Sequence, residues 1–405
     1  MSTYENAVDV ESFQEDVTIL SKYLVLDNLD AKRRAETDQL SLRRSSWIAS
    51  LLASSPKEQH QKVAIDFGIL AFHYAETSDG VDESLFRQLL YVITARAGTL
   101  PTLTYFDENL DELENQAISG ADGVLGLELF GERDVYLTED GQTLSRFQNE
   151  IWNGFQDDVD IAISGPTSSG KSHIVKDYLQ SNLANNSDFD AVYLVPTRAL
   201  ITENSTKLRG IINTVDRRGD VKVLTGATED SLDESVIYVL TPERCLSLIE
   251  NTEFEPDIIF IDEIQNIGDD DRGVLYEIIN SKLSSKWDDI RMVAAGPFLE
   301  NGKELLDQST GRNSKGITTE VAPVAQLRTG ITFTEDNSLD ITVFTPTGDT
   351  VTIDGGFLNH RTWNQAGNMK QTIPSLIRDF SRRNKNLVYC HKSNLAEQWA
   401  TGIAD

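Results

Sequence analysis

The loop Gly165-Pro166-Thr167-Ser168-Ser169-Gly170-Lys171-Ser172 follows a short apolar run, Ile161-Ala162-Ile163, and leads into a segment with helical character from Ser172 to Leu183. This order restricts the fold more than any other feature of the chain. Glycines at both ends let the backbone turn its N–H groups inward, and the start of the following helix adds partial positive charge. Lys171 stands where an ammonium reaches β- and γ-phosphates, and Ser172 where a hydroxyl holds Mg²⁺. Gly165, Pro166, Thr167, Ser168, Ser169, Gly170, Lys171 and Ser172 are therefore candidate nucleotide-binding residues, with ATP and Mg²⁺ as the expected ligands. The competing reading is a Gly/Ser turn beside an unrelated lysine.

Downstream, Asp257-Ile258-Ile259-Phe260-Ile261-Asp262-Glu263-Ile264-Gln265 is an apolar run closed by two acids. That pattern suits a buried parallel strand delivering carboxylates at its C-terminal end, and such a strand can sit beside the strand of the glycine loop. Asp262 is then the expected Mg²⁺ ligand, through the water shell, and Glu263 the base that orients and deprotonates an attacking water. An acidic strand end facing solvent is the alternative.

Asp262-Glu263-Ile264-Gln265 resembles the DEAD/DEAH-type box of superfamily 2 helicases, and the segments between it and the phosphate loop resemble that family's motifs in the same order. Pro196-Thr197-Arg198-Ala199-Leu200-Ile201 is similar to motif Ia, and Thr241-Pro242-Glu243-Arg244 to motif Ib. The resemblance implies that Thr197, Arg198, Thr241 and Arg244 touch the sugar-phosphate backbone of one strand. Arginine forks and threonine hydroxyls near helix starts suit that task. Leu144-Ser145-Arg146-Phe147-Gln148-Asn149-Glu150-Ile151-Trp152 resembles the adenine-reading segment, in which Gln148 would pair with the purine edge. A helix that simply packs Phe147, Ile151 and Trp152 inward fits the same residues. The chain departs from the family at motif III, where Ala294-Ala295-Gly296 replaces the usual Ser-Ala-Thr after the strand. Two hydroxyls are missing there, which leaves Gln265 as the candidate relay between carboxylates and nucleic-acid loops.

The chain of 405 residues has room for two or three domains. No stretch approaches the roughly 18 apolar residues of a membrane helix, and no basic-then-apolar signal opens it, so the expected location is cytoplasmic. Cys245 and Cys390 are the only cysteines, which excludes zinc ribbons, iron–sulfur ligand sets and a disulfide framework. Both read as small buried hydrophobes. Net charge is −29, from 65 acidic and 36 basic residues, against the basic bias of a nucleic-acid binder. Binding, however, follows the local field of a cleft, and Arg198, Lys207, Arg209, Arg217, Arg218 and Arg244 cluster within the ATPase region. The acidity also fits concentrated salt, where the screening length falls to about 3 Å at roughly 1 M.

Four regions follow from the patterning. Residues 1–140 form a helical accessory domain, with stripes at Phe13, Val17, Leu20 and Leu24, at Val63, Phe67, Leu70 and Tyr74, and at Phe86, Leu89, Leu90 and Ile93. The acid-rich piece Asp107–Glu114, with Gly120, Gly123 and Gly126 close behind, reads as a connector. Residues 144–310 alternate strand and helix, an α/β pattern with a parallel sheet, which the resemblance specifies as a RecA-like P-loop lobe. Residues 311–360 read as a β-hairpin insertion, and 371–405 resemble the truncated start of a second RecA-like lobe, with His391-Lys392-Ser393 near motif IV. The resemblance as a whole implies a nucleic-acid-dependent ATPase or helicase, with DNA ahead of RNA, that is slow in isolation. A separate C-terminal lobe or a prokaryotic defence-system protein is the implied partner. Two alternatives stay open: an impaired binding fragment, and a P-loop ATPase that moves protein segments.

Overall fold

The computed structural model describes residues 3–28, 40–105, 123–138, 141–157, 159–186, 188–213, 221–226, 235–251, 254–265, 279, 282, 286–287, 290–297, 299, 301–333 and 339–354. Expectations for Asp107–Glu114, Gly120, Arg217, Arg218, Cys390 and the whole of 371–405 lie outside the described residues. Two compact units emerge, one spanning 136–323 and the other combining residues up to 135 with those from 324 onward.

The unit 136–323 is built on seven strands: β1 Ile161–Ser164, β2 Ala191–Leu194, β3 Val221–Leu224, β4 Ser235–Leu240, β5 Ile258–Asp262, β6 Arg291–Gly296 and β7 Lys315–Thr318. They line up as β3-β4-β2-β5-β6-β1-β7, and every neighbouring pair is parallel. Central strands buried on both faces need apolar side chains at successive positions, and β1, β2 and β4 are buried throughout. The period of two divides them between two cores. Ile161, Ile163, Tyr193, Phe260 and Val293 face one side with Ile174 and Val175, whereas Ala162, Val192, Leu194, Ile261 and Ala294 face the other with Leu248 and Trp287.

Two differences from the expectations above bear on the site. First, β5 does not sit beside β1, because β6 runs between them, with Ala295 opposite both Asp262 and Ile163. An apolar strand such as Met292–Ala295 must satisfy both backbone edges away from water, which an interior position does. Second, the sheet extends past residue 310 to β7, whose Ile317 is buried against the same core as Ile161.

Buried acids clip the strand entrances. Asp160, with its side chain only 3% exposed, accepts from Met292 N at 2.8 Å and from the Arg312 guanidinium at 2.8 and 3.0 Å. Asp190 accepts from Val236 N at 2.6 Å, and burial pushes its carboxyl up to about 6. These clips align the N-terminal ends of the strands, so the opposite ends, which carry the candidate residues, share one edge.

The other unit has helices Thr3–Val8, Glu11–Asn28, Leu42–Ala53, Glu58–Thr77, Glu83–Ala97 and Gly123–Asp134. Phe13, Val17, Leu20, Phe67, Leu70, Phe86, Leu90 and Ile93 are buried, as their helical spacing predicts. Asp82 caps Glu83–Ala97 by accepting from Ser84 N and Leu85 N, and Gly98 closes it in a left-handed conformation at φ 68°. Gly123 and Gly126, read as connector, lie instead in a helix. Buried Leu129, and Glu128 paired to Arg96 at 2.8 Å, outweigh the glycines' low propensity. Strands β8 Arg328–Phe333, β9 Leu339–Phe344 and β10 Thr350–Asp354 form an antiparallel sheet, β10-β9-β8, with the Thr345–Asp349 turn between the last two. A three-stranded sheet cannot cover its own face, and β10 packs against Glu11–Asn28. The segment 311–360 is thus divided between the parallel sheet and the helical unit. Among the described residues no helix is long and apolar enough to cross a membrane.

Candidate nucleotide and nucleic-acid site

The phosphate loop leaves β1 at Ser164 and enters the helix Lys171–Asn185 through Gly170, whose φ of 82° only glycine adopts without strain. Pro166 O is the hub of the turn and accepts from Ser169 N at 3.0 Å, Ser169 Oγ at 2.7 Å and Lys171 Nζ at 2.7 Å. Lys171 also donates to Gly165 O at 2.6 Å and is only 6% exposed. Its ammonium thus closes the loop on itself. Burial lowers its pKa, while Glu263 and Asp262 pull the other way. The loop lysine and both acids of the carboxylate box therefore share one electrostatic site. Ser168 Oγ is buried without a protein partner.

At the end of β5, Asp262 accepts at Oδ1 from Glu263 N at 3.1 Å and at Oδ2 from the Tyr193 hydroxyl at 3.3 Å. Desolvation raises the Asp262 carboxyl above its usual range, helped by the neighbouring charge of Glu263. Among the described residues Glu263 is the single non-glycine with positive φ, at 57°, a conformation that costs roughly 1–2 kcal/mol. Strain of this kind is kept where a chain must present a side chain in one direction. Gln265 Nε2 donates to Glu263 Oε2, and Gln265 Oε1 is buried without a protein partner. A Cβ added at Gly296 would come within 2.5 Å of that oxygen. The glycine of Ala294-Ala295-Gly296 is thus the space that Gln265 occupies, which ties the unusual motif III to the carboxylate box.

Ser172 and Asp262 are hard oxygen donors, and the Tyr193 hydroxyl donates to Asp262 Oδ2 at 3.3 Å. Such a pair, completed by nucleotide phosphates and water, suits Mg²⁺. Among the described residues no group of three or more His, Cys, Asp or Glu side chains could hold a metal by itself.

Gln148 lies over the loop, and a Cβ on Gly170 would collide with its carboxamide. It is also the third residue of a capping box. Gln148 Oε1 accepts from Ser145 N at 2.9 Å, and Ser145 Oγ accepts from Gln148 N at 3.1 Å. With its oxygen taken, Gln148 offers Nε2 as a donor rather than both halves of an amide pair. Phe147 and Ile151 are buried beneath it, so the packing alternative also describes this helix.

Pro196, Thr197, Arg198, Thr241, Glu243 and Arg244 line an open cleft of about 360 Å³. Thr197 caps the helix Arg198–Ile212 by accepting from Leu200 N at 3.4 Å, and Pro242 starts the helix Pro242–Asn251. Arg198 is exposed, whereas Arg244 is half-buried and donates to Thr225 O. Glu243 puts one carboxylate into the same cleft. Lys207 pairs with Glu203 at 2.6 Å and Arg209 donates to Val223 O at 3.2 Å, so these two bases serve local structure. Cys245 is fully buried and its thiol is pushed up to about 12.

Sequence reasoning missed Tyr193, Lys176 and Asn204. Lys176 is buried, donates to Asn204 Oδ1 at 2.8 Å and lies 5.8 Å from the centre of the Tyr193 ring. A signal existed: a phenol inside the aliphatic strand Ala191–Leu194, and a lysine four residues past Ser172 on the buried face of its helix.

Residues 145–302 match the family model for the DEAD/DEAH box helicase. The chain is 29% identical over 189 residues to the ATP-dependent DNA helicase Hel308 of Thermoplasma acidophilum, covering 44% of this chain and 26% of that protein. It is 28% identical over 171 residues to the Hel308 helicase of Methanococcus vannielii, covering 42% and 22%. The match thus spans about a quarter of the length of these curated relatives. Among solved structures, the DUF1998 helicase MrfA bound to DNA and AMPPNP aligns with 65% of this chain and 36% of its own, at 19% identity and a TM-score of 0.43. The DEAD-box helicase Mss116 bound to ssRNA and UDP-BeF aligns with 44% and 40%, at 16% identity and a TM-score of 0.36.

Proposed function

We propose that residues 145–302, which match the family model for the DEAD/DEAH box helicase, form a superfamily 2 helicase domain that binds ATP with Mg²⁺ at the phosphate loop and hydrolyses it in response to nucleic acid. One observation carries the reading: the phosphate loop after β1 and the Asp262-Glu263 pair at the end of β5 lie at the C-terminal edge of a single parallel sheet. In such sheets ligands bind beyond the carboxyl ends of the strands.

In this reading Lys171 exchanges the carbonyls of Gly165 and Pro166 for the β- and γ-phosphate oxygens, and the N–H groups from Thr167 to Ser172 line the cradle. Ser172 and Asp262 hold the metal, which when bound neutralises charge developing on the phosphate oxygens. Glu263 orients the attacking water and takes its proton. Gln265 relays between Glu263 and β6, and Gln148 donates to the purine edge. Thr197, Arg198, Thr241 and Arg244 hold strand phosphates at the cleft, with DNA favoured over RNA because the Hel308 relatives are DNA helicases. An arginine from a second lobe, in the same or another chain, is expected to complete the γ-phosphate site; such a residue is commonly worth about 10³ to 10⁵ in turnover. The described unit alone is therefore a slow ATPase. Its proposed setting is the cytoplasm of a salt-loving prokaryote, with a defence-system protein as a further proposed partner.

The test is equilibrium binding of ATP to Lys171→Ala. Affinity should fall at least about tenfold, the loss of one charge-assisted contact to phosphate, and unchanged affinity removes the nucleotide site. A second reading, an ATPase that moves protein segments, draws on Glu243 within the cleft and on the net charge of −29. It gains if single-stranded DNA and RNA both leave turnover and ATP affinity unaltered across a range of salt.

A further inference from the structure

The Tyr193 ring lies in the core of the parallel sheet at 0% exposure, against Phe260 with ring centres 4.6 Å apart and under the Lys176 ammonium. Phenylalanine would fill the same volume. The hydroxyl is therefore a polar group buried where packing does not require one, and burial of that kind is unfavourable unless hydrogen bonds offset it. Its hydrogen-bond partner is a candidate metal ligand, Asp262 Oδ2 at 3.3 Å.

Proton accounting sets the direction of the bond. A phenol has one proton, and the carboxylate of Asp262 can only accept, so Tyr193 donates to Asp262. The bond fixes which Asp262 oxygen faces inward, leaving the other for the metal's water shell.

We infer that Tyr193 is a positioning residue for the magnesium–nucleotide complex, orienting the Asp262 carboxylate through its single buried hydroxyl. The inference rests on the nucleotide site proposed above. It adds a side chain between motif Ia and the phosphate loop to the set that governs metal-dependent binding. Lys176, anchored to Asn204 on the helix Arg198–Ile212, lies over the ring.

The experiment compares Tyr193→Phe with the wild-type full chain, measuring AMPPNP affinity in Mg²⁺ and again in EDTA, with thermal melts in EDTA as a check on folding. Outer-shell partners of metal ligands are typically worth about 10- to 100-fold in metal affinity. Tyr193→Phe should therefore lose about tenfold or more of the Mg²⁺-dependent gain in affinity while its EDTA affinity stays within about twofold of wild type. The Mg²⁺ midpoint for binding should move up by the same factor. Equal weakening in Mg²⁺ and EDTA assigns Tyr193 a packing role and overturns the inference, as does an unaltered Mg²⁺ dependence. Wild-type protein that fails to bind AMPPNP in either condition overturns the nucleotide site itself, and this inference with it.

Discussion

Gly170 shows how narrowly one position constrains the loop. Its φ of 82° and the Gln148 carboxamide lying against it act together. Gly170→Ala should lose roughly 1–3 kcal/mol of stability, part from the left-handed backbone and part from the collision. Gln148→Ala should lose about 1 kcal/mol through the capping box. Urea melts of the two single variants and the double should give a combined loss smaller than the sum, because removing the carboxamide also removes the collision. An additive result would place Gln148 away from the loop. The loop residues were legible in the chain because glycines, lysine and serine at fixed offsets carry their chemistry locally. Tyr193 was not, because its significance lies in an oxygen that reaches it from 69 residues further along the sequence (262 − 193).

The helix Glu58–Thr77 carries its own titratable device. Asp66 is only 4% exposed, and burial raises its carboxyl from 3.8 to about 7, with Lys62 opposing. The folded protein therefore keeps a proton that the unfolded chain releases. Stability from this group is fully present below about pH 4 and is lost as the pH rises through 7. Asp66→Asn should behave like wild type near pH 4 and be more stable at pH 8, by on the order of 2 to 4 kcal/mol. Thermal melts across that range check it, and a stabilisation independent of pH would rule out titration as the cause. The stripes of this helix and its neighbours were readable, since burial on one face repeats every three to four residues. The polar residue on the buried side was not, because a sequence pattern does not show which neighbours close over it.

Across the molecule the net charge of −29 produces a diffuse self-repulsion that no single contact controls. Surface pairs such as Lys57–Glu5 and Lys315–Asp157 contribute little individually, and salt weakens them. Unfolding monitored from dilute buffer to about 2 M KCl should nonetheless show stability rising steeply, because screening relieves repulsion among excess carboxylates. A flat profile would remove the proposal of a salt-adapted protein. The order of motifs, the alternation of strand and helix and the two carboxylates after an apolar run could all be read from residues alone, because each depends on spacing along one chain. Placing β6 between the phosphate loop and the carboxylates, seating Gln265 in the space at Gly296 and joining Asp262 to a buried phenol required the folded chain. Neighbours in a parallel sheet are chosen by crossover connections and by burial of both strand edges, and neither leaves a mark at a fixed distance in sequence.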